Sequence, residues 1–165
     1  MRDMPPMTLA EIETAPFRVE QRARLRGSPE AVWKNLAEPA RWLDWFPMMH
    51  RATWTSDKTA AVGAERSVAL RVFGKFDERI LAWDPGERFA FTMIASTSPL
   101  AKRMAEDWRI TRHGPEVELE WVVGAFPTTV GRPATPILRA VLRQMFARGT
   151  ARLRRLLDER GTQVA

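Results

Sequence analysis

Residues 26–47 read RGSPEAVWKNLAEPARWLDWFP. They separate one strand upstream from a run of strands downstream. Ser28 is a good N-cap, and Pro29 suits the first helical position. The helix they open carries Val32, Trp33 and Leu36 and runs to about Ala37. Pro39 begins a second short helix through Arg41–Phe46, and Pro47 stops it. Trp42 and Trp45, three residues apart, are expected to peg these helices onto a core.

Upstream, Phe17–Arg26 alternates, with Val19, Gln21, Ala23 and Leu25 set against Arg18, Glu20, Arg22, Arg24 and Arg26. Period two with one charged face predicts a half-exposed strand. Downstream, Met48 to Phe126 reads as strands. Their inward faces carry His50, Ala52 and Trp54; Arg66, Val68, Leu70 and Val72; Phe76, Glu78, Ile80 and Ala82; Phe89, Phe91, Met93 and Ala95; Met104, Glu106, Trp108 and Ile110; and Val117, Leu119, Trp121 and Val123. Charged residues crowd the opposite phase, as in an antiparallel sheet with one wet face. Two-residue turns at Pro85-Gly86 and His113-Gly114 keep that phase, pairing Ala82 with Phe89 and Glu106 with Trp121. A three-residue loop at Phe73-Gly74-Lys75 does the same. After a Pro/Thr/Gly loop at 127–136, a helix is predicted from Thr135 to about Arg160. Leu138, Leu142, Met145, Gly149, Leu153 and Leu156 form its apolar stripe, and Gly161 is the expected stop.

The chain has 165 residues, about one domain. Residues 1–16 lack periodicity and read as a tail or loosely docked arm; 17–161 form the single domain. Without Cys there are no disulfides, no thiolate catalysis and no sulfur-ligated zinc. With His50 and His113 alone, no metal is expected, and nothing calls for a cofactor. No run approaches the roughly 20 apolar residues of a membrane span. The N-terminus lacks a secretory h-region, so a cytoplasmic location is the default. Net charge is +6, and most of the excess lies in residues 134–160. A solvated helix back explains that excess better than a nucleic-acid surface does.

The order strand, two short helices, six strands and long helix resembles the helix-grip fold of the START-like, polyketide cyclase/dehydrase superfamily (SRPBCC). The stretch 26–47 carries the resemblance. So do VGAERSV at 62–68, DERILAWDPGERFAF at 77–91 and the closing helix from Ala134. It implies an α+β fold: a curved, seven-stranded antiparallel sheet around the C-terminal helix, with a cavity between them. The superfamily binds lipids, steroids and polyketides, and some members catalyse on them. A bound apolar small molecule is therefore the first expectation. A polyketide cyclase or dehydratase is the alternative, and a basic surface for nucleic acid or anionic membrane is the second alternative.

The expected cavity lining is Trp54, Leu70, Ile80, Phe91, Met93, Trp108, Leu119, Trp121 and Met145, with Arg66, Glu78 and Glu106 among them. A buried charge is expensive unless paired, so each polar inward residue marks a pair, a rim or a site. Glu106, beside Trp108 and Trp121, is the leading acid–base candidate, because desolvation among indoles raises a carboxyl pKa. Its bland alternatives are an ion pair, for instance with Arg66, or a position at the cavity mouth. Arg66 could hold a ligand carboxylate bidentately, or equally serve in a structural ion pair. Glu78 is expected about three residue pairs from Arg66, too far to bridge at ~3.4 Å per residue. His50 is a further acid–base candidate, although a rim position suits it better.

Overall fold

The computed structural model describes residues 1–162. In chain order it has β1 (Arg2–Asp3), α1 (Leu9–Thr14), β2 (Phe17–Arg26), α2 (Pro29–Ala37), a 3-10 turn (Pro39–Arg41), α3 (Trp42–Trp45) and β3 (Met49–Trp54). Then follow β4 (Glu65–Leu70), β5 (Gly74–Asp84), β6 (Arg88–Ser96), β7 (Ala101–His113), β8 (Glu116–Pro127), a second 3-10 turn (Arg132–Ala134) and α4 (Thr135–Thr162). The strands form one antiparallel sheet in the order β2-β8-β7-β6-β5-β4-β3, with β1 paired to β6. Curved around α4, the sheet makes an α+β helix-grip architecture.

Local chemistry sets the helices. The Ser28 hydroxyl accepts the Ala31 N–H at 3.2 Å, and Pro29 opens α2. Trp42 and Trp45 are fully buried, and their indole N–H groups donate to the Leu36 and Asn35 carbonyls. Their rings meet Trp108 edge-on at 5.3 and 5.7 Å. Such pairs add about 0.5–1.5 kcal/mol beyond the area they bury. At Gly149, α4 passes so close to α3 that an added Cβ would lie 3.2 Å from Pro47. The buried stripe of α4 includes Phe146, Thr150 and Leu157 besides the predicted positions. The helix also continues past Gly161, the expected stop, to Thr162.

Edge strand β2 is covered by α4. Arg139 Nη1 donates to the Arg18 carbonyl at 2.6 Å, and Arg154 Nη2 to the Arg24 carbonyl at 2.8 Å. Two of the C-terminal arginines thus satisfy backbone acceptors on an open sheet edge.

Three register expectations need correction. Strand β4 ends at Leu70, and the turn is Arg71-Val72-Phe73, with Gly74 at φ +89° opening β5. Val72 is therefore exposed rather than inward. Arg66 lies directly opposite Glu78, not three pairs away. The β7–β8 turn is Gly114-Pro115, so Trp108 faces Trp121 and Glu106 faces Val123. The β5–β6 loop is one residue longer than expected: Ala82 pairs with Ala90, and an irregularity between Ile80 and Ala82 restores Ile80 opposite Phe91.

The N-terminal segment is not loosely docked. Beyond Thr92↔Ala105, β6 and β7 no longer pair, and β1 pairs with β6 there, Asp3 with Ala95 and Arg2 with Ser96. Met4 reaches the main core. A Thr8–Glu11 capping box starts α1. Ile12, with Met7 and Ala15, packs on Ala105 and Val122. The outer sheet face, expected to be wet, is thus partly covered by α1.

Candidate functional site

The inner faces of four adjacent strands bring three ionisable side chains into one cavity. Arg66 on β4 is opposite Glu78 on β5, Glu78 is opposite Met93 on β6, and Phe91 on β6 is opposite Glu106 on β7. Arg66 and Glu78 are 1% and 2% exposed. Arg66 Nε donates to Glu78 Oε2 at 2.5 Å. The guanidinium carbon lies 4.5 Å from the Phe91 ring centre, 4.8 Å from Trp42 and 4.9 Å from Phe89. These rings hold the charge in a desolvated frame where cation–π attraction is strongest. Nη1 and Nη2 have no hydrogen-bond partner among the described residues. A buried cation with two unpartnered NH2 groups is a costly arrangement for a purely structural residue.

Glu106 is not paired with Arg66 in an ion pair. Its Oε2 accepts the Trp121 indole N–H at 2.7 Å and that of Trp108 at 3.3 Å. The two indoles stack, centroids 5.2 Å apart, and Phe146 of α4 stacks on Trp121. Burial and then the Glu78 charge raise the Glu106 carboxyl to about 7, while the indole donors and Arg66 pull the other way. Burial likewise pushes Glu78 up, opposed by Arg66.

Between the sheet and the N-terminal half of α4 these groups line a cavity of about 100 Å³. A single water needs about 10–15 Å³ to enter a cavity and takes up about 30 Å³ in the liquid, so this space holds several waters or the apolar part of a guest. Of the expected lining, Arg66, Leu70, Glu78, Phe91, Met93, Glu106, Trp121 and Met145 are there. Four residues are not. Trp108 and Leu119 are fully buried core, Ile80 is core, and Trp54 packs on Trp83 at 5.8 Å. His50 is exposed, because a register shift between Met49 and Arg51 turns it out and leaves Met49 on the cavity.

Sequence reading missed Phe17 and Phe46 as lining, having placed them in strand or helix packing; Trp42, expected from the family resemblance to pack and to wall the cavity entrance, does line it. It also missed Met4, for which no periodic signal exists. Met4, Met49, Met93, Met104 and Met145 all line the space. Flexible thioether side chains let such a wall reshape around different guests. Among the described residues, no cluster of three or more His, Asp or Glu has the geometry of a metal site. No helix is long and apolar enough to cross a membrane.

Residues 16–158 match the family described as polyketide cyclase / dehydrase and lipid transport. An uncharacterized protein of Mycobacterium tuberculosis is 30% identical over 152 residues, 92% of this chain and 91% of its own. One from Mycobacterium bovis matches equally well. Among solved structures, the di-domain ARO/CYC StfQ of the steffimycin biosynthetic pathway has a TM-score of 0.75 at 15% identity, covering 93% of this chain and 55% of that one. A protein of Chromobacterium violaceum gives 0.66 at 18% identity, covering 86% and 97%. At these identities the solved structures bear on the fold. Together with the match over nearly the whole helix-grip domain, they place the chain in the polyketide cyclase/dehydrase and lipid transport family.

Proposed function

We propose that the protein binds an apolar small molecule carrying a hydrogen-bond-accepting group, held between the sheet and α4. One observation carries this reading: the unpartnered Nη1 and Nη2 of buried Arg66, lining an otherwise largely apolar cavity. Ligand sites are mostly apolar with a few placed polar groups. A carbonyl or carboxylate at Arg66 would complete the guanidinium's hydrogen bonds. The dye prodan, an aromatic ketone, tests this against N-phenylnaphthylamine, which lacks the acceptor. Saturable fluorescence enhancement with prodan is expected, with a preference over N-phenylnaphthylamine that disappears in Arg66→Met/Glu78→Met. No saturable binding of either dye overturns the reading.

A second reading has its own observation. Glu106 lines the cavity with a carboxyl raised to about 7 and has Oε2 fixed by two indoles, while Oε1 has no hydrogen-bond partner among the described residues. A base poised near neutrality suits proton abstraction next to a carbonyl. Arg66 then faces the developing enolate oxygen. This is cyclase- or dehydratase-type chemistry. Its test is exchange of the α-protons of bound prodan in deuterated water, followed by NMR. Catalysed exchange in the wild type, lost in Glu106→Gln while binding persists, supports an enzyme. Exchange at the buffer rate removes this second reading for ketone substrates.

A further inference from the structure

Beside the cavity mouth lies a second, open groove of about 410 Å³. Phe17, Pro127 and Thr135 line both spaces, so the groove continues the cavity outward. Its walls carry Lys102, Arg132 and Arg139, and none of its lining residues is acidic. The surrounding chain has the same bias: in residues 97–103 and 127–143 every charged side chain is basic. Arg139 is fixed in place by the Arg18 carbonyl and stands over the Phe17 ring at 5.2 Å. Lys102 and Arg132 are exposed and have no side-chain partner among the described residues. Elsewhere on the molecule arginines are commonly matched: Arg18, Arg22, Arg79, Arg88 and Arg109 all bridge to carboxylates. Three cations and no carboxylate lining one groove, next to an apolar cavity, describe a receptor for a negative group.

We infer that Lys102, Arg132 and Arg139 bind the anionic head of an amphipathic ligand whose apolar body occupies the cavity. This rests on the cavity-binding reading and adds the ligand's charge and direction: apolar end inward, phosphate or carboxylate at the groove. An open vestibule suits a head that stays partly hydrated, so the charge need not be fully desolvated.

Octanol, octanoate and octyl phosphate are the probes, titrated calorimetrically against the full chain at low and high salt. Both anions are expected to bind roughly tenfold tighter than octanol at low salt, with the ratio shrinking as salt screens the exposed cations. In Lys102→Ala/Arg132→Ala the ratio is expected to collapse toward one. Tighter binding of octyl phosphate than octanoate names phosphate as the head, the reverse names carboxylate, and either supports the groove. A wild-type ratio near one overturns the inference while octanol binding leaves the cavity reading intact. So does a ratio that survives the groove variant but is lost in Arg66→Met/Glu78→Met, since the head then sits on Arg66. Binding of none of the three overturns both readings.

Discussion

Arg66 has three aromatic rings around it and one carboxylate on Nε, and that balance makes it sensitive to substitution. Arg66→Met leaves Glu78 buried and unpaired. Removing one partner of a buried pair costs about 3–5 kcal/mol. Urea unfolding should show that loss, and Arg66→Met/Glu78→Met should recover most of it. A loss in the double variant as large as in the single one would show that the ring contacts, not the pair, dominate. Glu106 gives a pH signature. Its carboxyl titrates near 7 folded against 4.5 unexposed to the fold, so the folded state holds more protons between those values. Stability from this group is full below about 4.5 and is lost as pH rises through 7, on the order of 3 kcal/mol in all. Glu106→Gln should remove that decline when unfolding free energies at pH 5 and pH 8 are compared. The surface carboxylates run the other way: Glu11, held near 2 first by Arg103, contributes in full above about 4.5 and loses that contribution as pH falls from there through 2. The candidate residues Arg66, Glu78 and Glu106 were legible because polar side chains broke an apolar alternation. His50 satisfied the same pattern and failed, because one irregularity after Met49 reverses the phase.

Strand phase and strand register separate here. Inside-versus-outside depends on parity alone, so moving the Phe73 loop two residues earlier, or the His113 turn one residue later, leaves every face unchanged. Register then shifts by an even number of residues. For that reason the sheet and its inner face could be read from sequence, whereas the Arg66–Glu78 pair could not. The α1 docking site was equally hidden: Ala105 and Val122 are apolar positions in a largely charged outer phase, and Ile12 packs on them. Gly124, directly across from Ala105, lets α1 approach. A Cβ there would lie 2.8 Å from the Ile12 backbone, which must move away. Gly124→Ala should therefore release α1 and increase hydrogen exchange over residues 9–14, with an unfolding loss of roughly 1–3 kcal/mol. Unchanged protection of that segment would contradict the close packing.

At the scale of the molecule, the cavity is closed by parts of very different character. The inner sheet and α4 form a continuous aromatic and aliphatic wall, whereas β1 and Met4 fill the place where β6 and β7 part. Deleting residues 1–7 removes Met4 and Met7, two fully buried side chains, and should lower stability by about 3 kcal/mol or more. Amide exchange at 93–96 and 101–104 should rise with it. A variant with unchanged urea midpoint and exchange would reduce the arm to decoration. The charge excess also resolves only at this scale. Some of the C-terminal arginines satisfy the carbonyls of β2, and the basic groove borders the cavity mouth.

The seating of β1 has a consequence for how the chain is made. Arg2 reaches the Ser98 carbonyl across 96 positions of sequence, and its berth does not exist until β6 and β7 have been synthesised and paired. Residues 2–7 are thus made well before the strands that seat them. Closing a loop of that length costs roughly 4 kcal/mol of chain entropy. Met4 and Met7 remain uncovered while the sheet is being made, and the cavity closes only when this segment docks against β6.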